Sequence, residues 1–216
     1  EHFREGQEQM ASEVKEALEQ GGHILLNAPT GYGKTAAVLY AALRHAYDSN
    51  RRVFFATART TQQEIAQEVA QRLAMKGLPL RAVQIRARDK VCLNDVVVCR
   101  SERCTFAENY HDKVREADLV NEIWSTRNQA TGAPTVDEVV SLAERHRACP
   151  YALTIDGVEQ ADLVIGDFNY LFDPSVRLSA IDADLSDWVV IVDEAHNLPD
   201  RAMGYGSPEI LLAHAE

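Results

Sequence analysis

The stretch Asn27-Ala28-Pro29-Thr30-Gly31-Tyr32-Gly33-Lys34-Thr35 lies between a short apolar run, residues 23–26, and a longer one, residues 36–43. A strand, a glycine-containing turn, Lys-Thr and a helix form the layout of a phosphate-binding loop. Glycine lets the backbone wrap a phosphate closely, and the N–H groups at the start of a helix attract the anion. We therefore predict a strand over residues 23–26, followed by the loop and a helix.

Within this loop, Lys34 can reach the β- and γ-phosphates of a nucleotide, and the Thr35 hydroxyl can hold Mg²⁺. Ala28 stands where the strict pattern has glycine. A glycine-rich turn that merely contains Gly-Lys-Thr is therefore the alternative that this stretch alone leaves open.

A second candidate motif follows the most apolar predicted strand, residues 188–192, in the run Val189-Val190-Ile191-Val192-Asp193-Glu194-Ala195-His196. A buried strand that ends on an aspartate suits a Walker B site. There Asp193 would support Mg²⁺, mostly through water, and Glu194 would orient and polarise the attacking water. The alternative is an ordinary charged turn, which the upstream phosphate loop disfavours.

Hydrophobic periodicity predicts alternating strands and helices on both sides of residues 86–150. Helices are predicted over residues 7–20 and 61–76, the second capped by Thr60-Thr61. The predicted inner face of the second helix consists of Ile65, Val69, Leu73 and Met75. Further strands are predicted over residues 52–57, 82–85 and 162–166. This alternation is typical of an α/β domain with a mostly parallel sheet and covering helices.

Residues 86–150 lack that alternation. Two helices are predicted there, over residues 113–129 and 135–147, separated by Thr131-Gly132-Ala133-Pro134. We interpret the segment as a mainly helical insertion. The predicted organisation is a first part of the α/β domain at 1–85, an inserted domain at 86–150, and a second part at 151–216.

The composition of the 216 residues, 46% hydrophobic and 25% charged, is that of a globular protein. No apolar run approaches the ~20 residues of a membrane span, and the first residues do not form a signal peptide. We therefore expect no membrane association and a location in the cytoplasm, or the nucleus of a eukaryote. The net charge of −11 argues against nonspecific nucleic-acid binding, although basic clusters such as residues 86–90 can act locally.

All four cysteines, Cys92, Cys99, Cys104 and Cys149, lie in the predicted insertion. Their spacing matches no common zinc-finger pattern. Four scattered thiolates can nevertheless converge on one 4Fe-4S cluster. Core thiols and a structural zinc site are the alternatives. The polar residues between Cys99 and Cys104 disfavour simple core burial.

Several stretches resemble the iron–sulfur group of superfamily 2 DNA helicases, the XPD and DinG type. Asp193-Glu194-Ala195-His196 matches the helicase signature, and residues 28–35 resemble motif I, where alanine in the first position is ordinary. Tyr32 departs from the usual small residue or threonine. Phe3-Arg4-Glu5-Gly6-Gln7 resembles the adenine-reading motif, residues 57–63 resemble motif Ia, and residues 161–174 resemble the stretch that precedes the acidic motif.

The resemblance implies residue roles. Ala28, Pro29, Thr30, Gly31, Tyr32, Gly33, Lys34 and Thr35 would hold the phosphates of ATP. Gln7 would read the adenine edge, and His196 would link the nucleotide state to the DNA-binding face. Arg59 and Thr60 would touch the single-strand backbone, as would Arg88 and Lys90. The contexts of Cys92, Cys104 and Cys149 resemble those of cluster ligands, and Cys99 is assigned by lying between them.

The resemblance further implies a RecA-like α/β domain, the first motor domain of an ATP-dependent helicase. Such a helicase would move 5′ to 3′ on single-stranded DNA and act at duplex junctions. Its cofactors would be ATP, Mg²⁺ and a 4Fe-4S cluster. The arch and the second motor domain of such a helicase are not recognisable in this chain. The 216 residues alone are therefore expected to hydrolyse little ATP and to unwind no duplex. The alternatives are a nucleotide-dependent switch that does not act on DNA, and a zinc-bound nucleic-acid-binding module with a vestigial phosphate loop.

Overall fold

A parallel sheet forms the centre of the computed structural model, which describes residues 6–29, 32–125 and 133–207. The strands are, in chain order, β1 (Arg52–Ala56), β2 (Ala82–Gln84), β3 (Leu163–Gly166) and β4 (Trp188–Val192). Their order across the sheet is β2-β3-β1-β4, and each pairing is parallel. The predicted α/β class and mostly parallel sheet are therefore confirmed.

Helices cover both faces of the sheet. They are, in chain order, α1 (Gln7–Glu19), α2 (Lys34–Ser49), α3 (Thr60–Met75), α4 (Arg88–Val91), α5 (Tyr110–Glu116), α6 (Leu119–Ser125), α7 (Val136–Arg145), α8 (Pro150–Val158), α9 (Asn169–Phe172), α10 (Ser179–Ala183) and α11 (Leu198–Tyr205). Among the described residues, none of these helices combines the length and the apolar character needed to span a lipid bilayer.

The consecutive residues Phe54 and Phe55 show how β1 separates two hydrophobic cores. Side chains alternate between the faces of a strand. Phe55 accordingly packs with α2 and α3 on one face, and Phe54 packs with Trp188 and residues of α9 and α10 on the other. Both phenylalanines are fully buried. A strand covered on both faces is expected to be continuously apolar, which explains why β1 is easily recognised in the sequence.

The strand predicted over residues 23–26 is absent from the described part of the chain. Residues 22–29 are irregular, and the Leu25 side chain is 96% exposed. Residues 24–26 nevertheless line a cavity beside β4, together with Val189 and Val190. Apolar character alone therefore brings this segment to the sheet edge without the backbone pairing that defines a strand.

The predicted length of helix α3 is right, but its predicted inner face is only partly right, since only Val69 and Leu73 of the four predicted residues pack against the core. Ala66 and Ala70 are fully buried, whereas Ile65 and Met75 are 43% and 60% exposed. The predicted Thr60-Thr61 cap is also wrong, because Arg59 is the residue that precedes the helix and no side chain caps it. Small side chains on the inner face let the helix backbone approach the sheet closely.

The predicted insertion has a third core, built by α5, α6, α7 and the first half of α8. The helix predicted over residues 113–129 is interrupted, because Asp118 adopts a left-handed backbone with φ 50° between α5 and α6. Its last four residues lie outside the described part of the chain. Helix α7 begins with a capping box, in which the Thr135 hydroxyl accepts from Glu138 N–H and the Glu138 carboxylate accepts from Thr135 N–H.

Candidate functional site

The start of α2 carries the predicted phosphate loop. Gly33 precedes the helix with φ 77°, a left-handed conformation that glycine adopts without strain. Lys34 and Thr35 are the first two helical residues. The Lys34 ammonium donates to the Ala28 carbonyl at 2.7 Å, so the lysine folds back over the loop. Pro29 is exposed, and Thr30 and Gly31 lie outside the described residues.

The carboxylate of Asp193 is held at the carboxyl end of the sheet. Its backbone N–H donates to the Ala56 carbonyl at 2.9 Å, which continues the pairing of β4 with β1. Its Oδ2 atom is buried and has no hydrogen-bond partner among the described residues. Burial, followed by the charge of Glu194, raises the pKa of Asp193, while the charges of Lys34 and Arg59 oppose the increase. Such an oxygen is suited to a bound cation or its water.

Glu194 adopts a left-handed backbone with φ 53° and ψ 43°. This conformation is uncommon for a residue with a side chain, and such strain concentrates at functional sites. The Glu194 carboxylate lies 3.6 Å from His196 Nδ1. The backbone carbonyl of Glu194 accepts hydrogen bonds from both the backbone and the side-chain N–H groups of Asn197, which stabilises the turn. The imidazole of His196 is largely exposed.

The two predicted nucleotide motifs meet at one cavity of about 210 Å³. Lys34 and Thr35 line it from α2, and Asp193 and Ala195 line it from the end of β4. Gln7, at the start of α1, reaches the same loop and donates from Nε2 to the Gly33 carbonyl at 3.3 Å. Segments that are far apart in sequence thus form one site, which contains the Lys34 ammonium, the Thr35 hydroxyl and the Asp193 carboxylate.

Of the predicted DNA contacts, Arg59 lies nearest to this site. Arg59 follows β1, and its positive charge acts to lower the pKa of Asp193. Thr60 begins α3 and is exposed. Both residues therefore stand at the carboxyl end of the sheet, where ligands of open α/β sheets bind.

Arg88 and Lys90 are both in α4 but face different surroundings. The Arg88 guanidinium lies 4.6 Å from the centre of the Tyr151 ring and lines a second cavity. Among the described residues, Lys90 forms an ion pair with its neighbour Asp89 at 3.2 Å, and its side chain is 71% exposed. Arg88 and Lys90 therefore have different environments, although the sequence predicts the same role for both.

All four cysteines line this second cavity, whose volume is about 420 Å³. They come from residues 92–104 and from Cys149, which precedes α8, and none of the four forms a disulfide. No three of the described His, Cys, Asp and Glu side chains are grouped closely enough to hold a single metal ion. The four thiols thus line one cavity but do not lie close enough together to bind a single metal ion.

Two of the thiols have hydrogen-bond donors. Asn94 Nδ2 donates to Cys104 Sγ at 3.3 Å. Burial raises the pKa of the Cys149 thiol, and the backbone N–H groups of Ala152 and Tyr151 partly offset this increase by donating to the sulfur. Backbone donors at the start of a helix favour a thiolate.

A polar network that the sequence did not suggest lies beside the acidic motif. Arg201 in α11 donates to Asp167 Oδ1 at 3.0 Å and to Asn169 Oδ1 at 3.1 Å, and the Tyr205 hydroxyl donates to Asn169 at 2.8 Å. The network joins the helix after Asp193 to the turn after β3. Asp167 and Asn169 belong to the recognised 161–174 stretch, but nothing in the sequence pairs them with Arg201.

Residues 56–214 match the family model DEAD_2, and the chain belongs to this family. The chain is 33% identical over 165 residues to the Fanconi anemia group J protein homolog of Gallus gallus, covering 70% of this chain and 13% of that protein. It is 24% identical over 229 residues to the general transcription and DNA repair factor IIH helicase subunit XPD of Schizosaccharomyces pombe, covering 89% and 28%. The chain thus spans less than a third of either relative.

Solved structures show the same fold. A structure named XPD_Helicase superposes with a TM-score of 0.64 at 21% identity, covering 92% of this chain and 34% of that chain. A second, named Truncated XPD, gives a TM-score of 0.59 and covers 88% and 53%. The resemblance to the XPD and DinG group is therefore confirmed.

Proposed function

We propose that this chain is the nucleotide-binding motor portion of an ATP-dependent DNA helicase of the XPD and DinG type, moving 5′ to 3′ on single strands. The observation that carries the proposal is the shared cavity, where Lys34 and Thr35 face Asp193. One of the two relatives named above is described as a helicase subunit. Unwinding belongs to the whole protein, with its arch and second motor domain, of which this chain spans a part.

In the proposed mechanism, the loop of residues 28–35 holds the phosphates and Gln7 reads the adenine edge. Lys34 would leave the Ala28 carbonyl to bind the β- and γ-phosphates. Bound Mg²⁺ would neutralise phosphate charge. The Thr35 hydroxyl and the unpartnered Asp193 Oδ2 are the oxygens suited to hold it, the second mostly through water.

Glu194 is proposed to orient the attacking water and accept its proton, since it follows Asp193 directly and its side chain is only 26% exposed. His196, at 3.6 Å from Glu194, would connect the water-activating residue to the DNA-binding face. The strained backbone of Glu194 supports this assignment, because strain at a residue persists when the surrounding structure fixes its position.

Four residues are proposed to contact the backbone of single-stranded DNA or a duplex junction. Arg59 and Thr60 follow β1 at the carboxyl end of the sheet, and Arg88 and Lys90 lie in α4. Lys90 is the more accessible of the α4 pair, since Arg88 is engaged with Tyr151.

Cys92, Cys99, Cys104 and Cys149 are proposed to bind a 4Fe-4S cluster within an inserted domain at 86–150, between the two parts of the motor domain at 1–85 and 151–216. The residues present fit this group, because four thiols line one cavity of about 420 Å³. A single zinc ion, with sulfurs at ~2.3 Å, would need the thiols to close on one point. The cluster would act structurally, by fixing four separated positions of the chain.

Replacement of Lys34 tests the nucleotide site. Hydrogen bonds to a charged phosphate contribute ~1.5–3 kcal/mol, so Lys34→Ala is expected to weaken Mg-ATP binding about tenfold or more. Isothermal titration calorimetry on the 216-residue chain measures the effect. Lys15→Ala is the matched control, because Lys15 is exposed on α1 and pairs only locally with Glu19 at 3.6 Å. Equal affinity in the two variants would reject the proposed site.

One of the two alternatives, a nucleotide-dependent switch that does not act on DNA, is favoured by the net charge of −11. It differs in one measurable outcome. DNA-stimulated ATP hydrolysis by the whole protein supports the helicase, and hydrolysis that ignores single-stranded DNA supports the switch.

A further inference from the structure

Tyr32, the residue that departs from the usual phosphate loop, is packed against the first residue of the described chain. Gly6 precedes α1 with φ 81°, and the hydroxyl and ring of Tyr32 occupy the space that a Cβ on Gly6 would take. Glycine is favoured at position 6, because a side chain is strained at this φ and its Cβ would displace the Tyr32 ring. The tyrosine therefore holds the entry to α1 against the phosphate loop.

The neighbouring residues form a second contact between the same two segments. Gln7 Nε2 donates to the Gly33 carbonyl at 3.3 Å. Gly33 has φ 77°, and a Cβ there would meet the Gln7 amide. Residues 6 and 7 thus meet residues 32 and 33 in order. The structure gives α1 no side-chain cap at its start, so these contacts hold its first residues, while Met10 and Val14 bury its inner face.

This junction has a consequence for which base can bind. A glutamine amide has a donor and an acceptor, and a flip of the amide exchanges them. The Gly33 carbonyl only accepts, so it fixes Nε2 toward the loop and orients Oε1 as the acceptor. An acceptor suits the exocyclic amino group of adenine and opposes the O6 carbonyl of guanine. Gln7 is half-buried, and an amide held in one orientation leaves the wrong base without a hydrogen-bond partner.

We infer that Tyr32 is a positioning residue that sets the preference for adenine over guanine nucleotides, by holding Gly6 and Gln7 in one orientation relative to the phosphate loop. This inference rests on the proposed function, in which the loop binds phosphates and Gln7 reads the base. Tyr32 acts through Gln7 and does not itself contact the base.

The test compares three ligands in the presence of Mg²⁺: ATP, GTP and inorganic tripolyphosphate, each titrated calorimetrically into the 216-residue chain. Tyr32→Thr is expected to weaken ATP binding about tenfold, equivalent to ~1.4 kcal/mol, and to abolish the preference over GTP. Tripolyphosphate affinity should be unchanged, since it has no base. Tyr47→Thr is the matched control, because Tyr47 lies on α2 and is 63% exposed.

Two further variants approach the junction from the other side. Gly6→Ala should reproduce the loss of preference with Tyr32 intact, because the added Cβ pushes the ring away. The double variant Gly6→Ala with Tyr32→Thr should bind ATP no worse than Gly6→Ala alone, because Tyr32→Thr removes the ring that the alanine Cβ would meet. Thermal unfolding of each variant shows whether it is folded.

The outcomes separate this inference from the proposed function. Tripolyphosphate binding that depends on Lys34, together with an unchanged ATP preference in Tyr32→Thr, overturns the role of Tyr32 and leaves the nucleotide site intact. Equal loss of ATP, GTP and tripolyphosphate in Tyr32→Thr also overturns it, since the tyrosine would then only support the loop. Failure of the unaltered chain to bind any of the three ligands rejects both proposals.

Discussion

Asp193 and Glu194 are both held in unfavourable states. Asp193 is half-buried with an oxygen that lacks a partner among the described residues, and Glu194 has a left-handed backbone. Neither feature stabilises the metal-free fold. Both features are typical of a site whose residues are positioned for a ligand. The sequence predicts that these acids end the strand, but the desolvation and the strain depend on packing that no local pattern encodes.

Asp193→Asn is therefore expected to stabilise the metal-free chain while weakening Mg-ATP binding. Burial raises the pKa of Asp193, so the folded state holds this proton more tightly than the unfolded state does. The ionised carboxylate then destabilises the fold at neutral pH, and this penalty disappears as pH falls through the raised pKa. Thermal unfolding at several pH values should show a higher melting temperature for Asp193→Asn at neutral pH, and no difference in acid. A lower melting temperature at neutral pH would contradict this account.

At the scale of elements, α3 shows where sequence periodicity succeeds and fails. The spacing of apolar residues correctly predicts a helix that begins near residue 60 and ends near residue 75. It gives the inner face only in part, because hydrophobic patterns weight large side chains: Val69 and Leu73 pack against the core, but Ile65 is 43% exposed. The fully buried positions carry small residues, and Ala66 and Ala70 allow close approach to β2 and β3. The irregular residues 22–29 show the converse, since apolar character there does not produce strand pairing.

A pair of substitutions on α3 distinguishes the two faces. Ala66→Leu adds volume at a fully buried position and is expected to destabilise the fold by ~1–3 kcal/mol. Ile65→Ala removes as many carbon atoms as Ala66→Leu adds, but from a side chain that is 43% exposed, and should change stability by less than ~0.5 kcal/mol. Urea unfolding followed by circular dichroism measures both. If Ile65→Ala destabilised the fold more than Ala66→Leu does, the face that contains Ile65 would be the buried one, as the sequence predicts.

At the scale of the whole molecule, the predicted insertion is attached to the α/β domain by hydrogen bonds and by a helix that packs in two cores. Gln67 in α3 donates to the carbonyls of Ala133 and Pro134 at 3.2 and 2.9 Å, and Ala133 itself packs in the core beside α2. Helix α8 links two regions, since Leu153 belongs to the third core and Val158 to a core of the sheet. The sequence predicts the change of pattern at residues 86–150, but not these attachments, which join distant residues.

Cys149 stands where α8 begins, so its replacement tests the cysteine cavity and its link to the α/β domain. In anaerobically purified chain, Cys149→Ser is expected to lose the iron and the visible absorbance of an iron–sulfur cluster, because one of four thiolate ligands is removed. Iron counted per chain and the absorption spectrum measure the effect. Ser101→Ala is the control, since Ser101 is exposed and pairs only with Glu102. Zinc in place of iron in the unaltered chain would favour the zinc-bound alternative.

The strand order β2-β3-β1-β4 also constrains how the chain acquires its shape. Strands β1 and β2 are neighbours in sequence but not in the sheet, because Val53 pairs with Leu163, and β3 lies between them. On a ribosome adding about 5–20 residues per second, β1 waits roughly 5–20 s for its first partner. During that interval Val53, Phe54 and Phe55 have no sheet in which to bury their side chains. Long-range pairing of this kind slows folding and prolongs exposure to aggregation, so this fold matures late and benefits from chaperones during its synthesis.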